Sequence, residues 1–330
     1  MAKKITAMLV IAFLCIRMLT ACGIPGGNSM LDADGEDRLK VVCTIFPAYD
    51  WVCQIAGEEV EAVFLMDTGV DLHSYQPSAA DFVTIAECDV LIYVGGESED
   101  WMEAALRNSV NENMQVINMM ELLDDAIQEE AIVEGMQEET HWFGRSEELE
   151  YDEHIWLSLR NAEMICNAIT DALVQADEAH AEYYRGNNTR YQQKLMELDQ
   201  SYEDMIEKAE INVLLFGDRF PFRYLTEDYG LNYYAAFPGC SAETEASFET
   251  ITFLSGKMDE YELPGVIILE KSSPDIAQAI IDNTTKQDQA VLVLDSIQSV
   301  NRTQIEEGIS YLSIMEKNRD VLGQALRTEE

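Results

Sequence analysis

Eight short apolar runs, in two sets of four with helical patterns between them, leave this 330-residue chain few ways to fold. The first set is LKVVCTIF (39–46), EAVFLM (61–66), DVLIYV (89–94) and QVIN (115–118). The second is NVLLFG (212–217), NYYAAF (232–237), GVIILE (265–270) and AVLVLD (290–295). Continuous β-rich runs without polar alternation mark strands covered on both faces, and a helix between successive strands makes them parallel. The chain is therefore predicted to be α/β, with two lobes each built on a mostly parallel sheet flanked by helices. Between the two sets, Tyr184, Tyr191, Leu195, Leu198, Tyr202 and Met205 fall on one face of a helix running to about Lys208. Such a helix is long enough to brace both lobes. SYLSIMEKNRDVLGQAL, near the C-terminus, repeats the helical period and reads as a packing helix.

The predicted boundaries follow: residues 1–21 an export signal, 22–38 a tether, 39–176 the first lobe, 177–209 the linking helix and 210–330 the second lobe. The signal has Lys3 and Lys4 followed by an apolar run from Ile5 to Leu14 that is too short to span a bilayer comfortably. It ends in Leu19-Thr20-Ala21-Cys22, which resembles the lipobox of bacterial lipoproteins. That resemblance implies Cys22 as the lipid attachment site and first mature residue, giving an extracytoplasmic protein anchored to the cell membrane. The next residues, GIPGGNSMLDADGED, are Gly-, Ser- and Asp-rich without apolar period, as a tether requires.

Charge narrows the partners. With 21 basic against 62 acidic residues the formal net charge is −41, which repels nucleic acid and anionic lipid and attracts cations. From Asp124 to Glu153 lies a concentrated acidic stretch with Arg145 as its one base. Residues 134–150 at least are expected to form a solvated loop, either merely solubilising or collecting cations weakly with His141 as an occasional extra ligand. Setting aside Cys15 and Cys22, five cysteines remain, Cys43, Cys53, Cys88, Cys166 and Cys240. Their odd number and the lack of C-x-x-C argue against a disulfide framework or zinc cage, so most read as small buried thiols, with a single bridge as the alternative.

Chemistry concentrates where elements meet. His73, in GVDLHSYQPSAADF, sits between a turn glycine and a Tyr-x-Pro segment, and His154, in YDEHIWLSLRNA, just precedes a helix expected to begin around Ser158. Asp218 follows the run NVLLFG and Asp295 closes AVLVLD. In open α/β sheets ligands bind outside the carboxyl ends of the strands. Two imidazoles from the first lobe and carboxylates from the second would make a four-ligand N2O2 metal site between lobes. Each residue has a plainer reading, an incidental histidine or a turn-forming aspartate. Their ordered recurrence favours the site.

The combination resembles the metal-binding solute-binding lipoproteins of bacterial ABC importers for zinc and manganese, in which a rigid helix joins two α/β lobes. GVDLHSYQPSAAD is similar to that family's first-ligand stretch and implies His73; EHIWLSLRNA is similar to its second and implies His154. Glu99-Asp100-Trp101, CSAETEASFETI and YLSIMEKNRDVL match further segments, and LDSI implies Asp295 as a carboxylate ligand. The family's third ligand, His or Glu, lies three residues before an aromatic-x-Tyr pair, here Phe222-Arg223-Tyr224, and that position holds Arg219. A guanidinium has no lone pair to give a metal. Asp218 serves if Pro221 reshapes the turn; alternatively Arg219 binds a carboxylate from elsewhere and leaves a more open site.

The resemblance implies a monomeric receptor that captures a divalent metal and hands it to an ABC permease, with no catalysis. Imidazoles suit zinc, carboxylates suit manganese as well, and the affinity order leans to zinc. Two alternatives stand beside it: a surface adhesin of the same fold, and a zinc hydrolase with Glu270 as general base, against which stands the lack of any H-E-x-x-H helix.

Overall fold

The computed structural model describes residues 38–137, 150–241 and 245–328. The expected export signal, Cys22, nearly all of the expected tether, His141 and Arg145 lie outside the described residues. Among those described, no helix is long and apolar enough to cross a membrane.

In the first lobe the order is β1 (Leu39–Cys43), α1 (Phe46–Ala56), β2 (Val60–Phe64), α2 (Ala79–Ala86), β3 (Val90–Tyr93), α3 (Met102–Leu106), β4 (Gln115–Asn118), α4 (Met119–Leu123) and α5 (Leu159–Ala176). The strands form a parallel sheet in the order β2-β1-β3-β4, with Val41 opposite Ala62 on one side and Val90 on the other. All four residues of β3 are buried, as a central strand covered by helices on both faces must be. Next comes α6 (Ala181–Ile206), of 26 residues and thus about 39 Å long at 1.5 Å per residue.

In the second lobe β5 (Val213–Phe220), α7 (Arg223–Tyr229), β6 (Asn232–Pro238), α8 (Phe248–Glu260), β7 (Gly265–Leu269), α9 (Asp275–Asp282), β8 (Ala290–Leu294), α10 (Arg302–Glu306) and α11 (Tyr311–Ala325) repeat the plan. Their sheet is again parallel and has the equivalent order, β6-β5-β7-β8. In each sheet the order reverses between the two central strands, β1 and β3 or β5 and β7, which opens a crevice at their carboxyl ends.

The helix α6 earns its length from its buried face. Tyr184, Tyr191, Leu195, Leu198 and Tyr202 join a core cluster that also takes in Trp51 and Trp156 from before it and Phe216 and Tyr311 from after it. The Tyr202 hydroxyl donates to the Met315 carbonyl at 2.6 Å, fixing α6 against α11. The described residues from Leu39 onward hold together as one compact unit.

Two expectations are corrected. The strand expected to end at Gly217 continues through Asp218 and Arg219 to Phe220, past a register shift against β6 between Phe216 and Arg219. A bulge hides such a continuation because it interrupts the apolar run without ending the pairing. The acidic stretch is also anchored at its start. Met136 is buried, the Gln137 backbone N–H donates to Ala236 at 2.9 Å, and Glu129 bridges Tyr151.

Candidate metal centre

His73 lies on a one-turn 3-10 helix, Leu72–Ser74, that Asp71 caps by accepting the His73 backbone N–H on Oδ1 at 3.0 Å. Leu72 is buried and pins the turn. The segment before it needs Gly69 at φ 73°, because a Cβ there would meet the Ser299 carbonyl and the Lys271 ammonium, each at 2.8 Å. Lys271 donates to the carbonyls of both Gly69 and Ser299 at 2.9 Å, so the second lobe holds the loop that presents His73.

His154 precedes the 3-10 turn Ile155–Leu157, and Ser158 then caps α5 by accepting the Asn161 N–H at 3.0 Å. Its ring is fully buried. Asp152 Oδ1 accepts both the His154 backbone N–H at 2.8 Å and the Nδ1 hydrogen at 2.9 Å. Second-lobe groups fix this segment too: Trp156 Nε1 donates to the Ser296 carbonyl at 2.9 Å, and the Tyr224 hydroxyl donates to the Asp152 carbonyl at 2.7 Å.

The Nε2 atoms of the two histidines, 81 positions apart in sequence, meet at 3.1 Å. The other ring nitrogens are engaged, His73 Nδ1 with Ser98 Oγ at 2.7 Å and His154 Nδ1 with Asp152. An imidazole needs such a partner on one nitrogen to present the lone pair of the other. At that distance the facing Nε2 atoms can share one proton, one ring donating and the other accepting. Burial and the adjacent His154 push the His73 pKa down to about 4. Burial opposes charge on His154, yet Asp152 outweighs it and leaves that pKa above the ordinary imidazole value. A cation seated between the rings would take the place of a proton shared by them.

Asp218 and Asp295 are placed differently. Among the described residues, the one group of three potential ligands whose atoms all lie within 4.8 Å of one another is His73, His154 and Cys240. Asp218 accepts the Arg219 N–H on Oδ1 at 2.8 Å and the Leu269 N–H on Oδ2 at 3.0 Å, so both oxygens serve the sheet across the bulge. Asp295 follows β8 and accepts the Ile297 N–H on Oδ1 at 2.8 Å. Burial and neighbouring Glu270 raise its pKa to about 7. Glu270 accepts from the Ser296 N–H at 2.9 Å and from the hydroxyls of Ser296 and Ser299. A carboxylate so occupied on both oxygens is a poor general base.

Arg219, where the resemblance puts a ligand, reaches across to Asp71, Nη2 to Oδ2 at 2.8 Å. Burial alone would raise the Asp71 pKa, but the guanidinium wins and holds it below the usual carboxylate value. The pair clamps the turn that carries His73 to β5. Glu153, nearly buried, keeps Oε2 at 3.7 Å from His73 Nδ1.

Sequence reasoning did not single out Cys240, one of five thiols of which it read most as packing residues. The rule that singled out the aspartates also applies to it, since Cys240 follows the end of β6 by two residues. Gly239 makes room: a Cβ there would stand 3.3 Å from His154 Cε1 and 2.8 Å from the Phe220 carbonyl.

Residues 41–325 match the family described as zinc-uptake complex component A, periplasmic. The chain belongs to this family. Membership assigns it to metal uptake and not to catalysis. It is 27% identical over 329 residues to the high-affinity zinc uptake system protein ZnuA of Bacillus subtilis, covering 99% of both chains. It is 28% identical over 332 residues to the zinc-binding lipoprotein AdcA of Streptococcus pneumoniae, covering 99% of this chain but 62% of that one. The solved Zn(II)-bound ZnuA-like domain of AdcA superposes with a TM-score of 0.68 at 24% identity, over 88% of this chain and 99% of that one. The family's two-lobe α/β fold is thus also that of this chain.

Proposed function

We propose that this chain is an extracytoplasmic receptor that captures one zinc ion between its lobes and delivers it to an ABC permease, held at the membrane by a lipid on Cys22. The observation that carries the reading is the pair of imidazoles at the lobe junction, their Nε2 atoms 3.1 Å apart and their Nδ1 atoms engaged. At a tetrahedral zinc with bonds of about 2.0–2.1 Å, two nitrogens stand about 3.3 Å apart, close to what the apposed rings provide. His73 and His154 are the first-lobe ligands. Asp295 is the second-lobe carboxylate, joining through Oδ2, while Asp218 remains a support of β5 and β7. Zinc is favoured over manganese because imidazole is the better donor for zinc. The charge of −41 raises the local cation concentration.

Zinc and manganese titrations of metal-stripped protein by calorimetry test the capture step. One tight zinc per chain and weaker manganese are expected, and loss of function in growth on zinc-depleted medium should follow deletion. No tight zinc, or equal binding by a His73→Ala, His154→Ala double variant, would overturn the reading. Attachment is tested apart: Cys22→Ala should leave the protein uncleaved or release it from membranes, and a cleaved variant that still partitions with membranes contradicts the anchor.

A further inference from the structure

We infer that Cys240 is a ligand of the captured ion, so that the second lobe contributes a thiolate where the family pattern would put the residue replaced by Arg219. The inference rests on the capture reading and deepens it.

The Cys240 Sγ lies within 4.8 Å of ligand nitrogens on both His73 and His154. A thiolate and an imidazole nitrogen on one tetrahedral zinc stand about 3.6 Å apart, given bonds of about 2.3 and 2.0–2.1 Å, so a small inward movement of one side chain completes a three-ligand face. Cys43, Cys88 and Cys166 each belong to a core cluster and act as small hydrophobes, but Cys240 is in none of the three clusters. Its backbone is set instead by the site: the Cys240 N–H donates to Glu130 Oε1 at 3.0 Å, and the bare Gly239 lets the chain pass against the His154 ring.

Apart from Asp295, which keeps Oδ2, the other second-lobe candidates are already committed. Arg219 binds Asp71, and both Asp218 oxygens accept backbone N–H groups. On coordination the Cys240 S–H bond breaks, its proton passes to solvent, and the sulfur lone pair forms the Zn–S bond, with no change of oxidation state. A thiolate beside two imidazoles selects zinc over manganese, since manganese prefers oxygen donors.

Cobalt(II), which reports thiolate ligation by a near-ultraviolet charge-transfer band, is the probe. The metal-stripped protein should bind one cobalt per chain with that band. Cys240→Ser should lose the band and bind zinc roughly 10²-fold more weakly while binding manganese unchanged, and Cys53→Ser should keep the band. Cys240→His guards against a mere folding defect: it should lose the band yet retain tight zinc. One bound cobalt without the band, or with a band that survives Cys240→Ser, overturns the thiolate and leaves the histidine pair standing. Absence of zinc and cobalt binding in the unaltered protein overturns both readings.

Discussion

The two lobes carry equivalent sheets, yet they treat the polar side chains at the carboxyl ends of their strands differently. In the first lobe His73 and His154 each have one ring nitrogen tied to a neighbour and the other facing its counterpart at 3.1 Å. In the second, Asp218 and Glu270 accept hydrogen bonds on both oxygens and stitch strands and loops together. On the proposed reading, position at a strand end is therefore not enough to make a ligand. What decides is whether a lone pair remains after the local hydrogen bonds are satisfied.

The strongest break of this contrast is to remove an imidazole. A four-ligand structural zinc site is worth about 10–16 kcal/mol, so about 3–4 kcal/mol per ligand, and His73→Ala or His154→Ala should weaken zinc roughly 10²- to 10³-fold by calorimetry. The apo proteins should differ. His154 is fully buried, and its loss leaves a cavity and removes the ring donor to Asp152, so His154→Ala should lower the apo melting temperature, whereas His73→Ala, with a side chain 13% exposed, should lower it less. His180, whose Nδ1 lies 2.5 Å from Asp177 and whose Nε2 lies 3.3 Å from Glu59, is the control, and His180→Ala should leave zinc affinity unchanged.

Asp50 extends the contrast to a carboxylate with no metal role. It accepts the Tyr311 N–H at 3.1 Å, and burial raises its pKa from 3.8 to about 6. A carboxyl whose folded pKa lies above the unfolded value contributes stability that is present below about pH 4 and lost as pH rises through about 6, on the order of 3 kcal/mol in all. Melting curves of apo Asp50→Asn should therefore lack the relative loss that the unaltered protein shows between pH 4 and 7. Parallel curves over that range would contradict the burial argument.

Asp218→Ala should cost apo stability about 1–3 kcal/mol, because the Arg219 and Leu269 N–H groups lose their acceptor, and should leave zinc affinity alone. A zinc loss comparable to that of His73→Ala would return Asp218 to the ligand set. The smallest effect is expected at Asp295→Ala, a roughly tenfold weakening of zinc, since its Oδ1 is already engaged by Ile297.

Much of the fold was legible because parallel strands buried on both faces leave unbroken apolar runs such as VLIY of β3, and because α6 keeps its aromatic stripe at helical spacing. The meeting of His73 and His154 was legible through their junction settings and the motifs around them. Asp218 was not, because a bulge makes a continuing strand look finished. The place of Cys240 was not legible because a thiol after a strand resembles the packing thiols Cys43 and Cys166 until the fold brings it beside two histidines. The anchoring of Met136 and Gln137 was hidden for a similar reason: a dense acidic composition says nothing of one buried methionine or of a backbone N–H that finds the second lobe.

The central claim, that the first lobe's two imidazoles share one ion, is tested most directly by a crystal structure of the zinc-loaded protein with anomalous data collected at the zinc edge. The account predicts a single strong peak bonded to Nε2 of both His73 and His154 at about 2.0–2.1 Å. A peak elsewhere, with the two Nε2 atoms still facing each other and no ion between them, would contradict it.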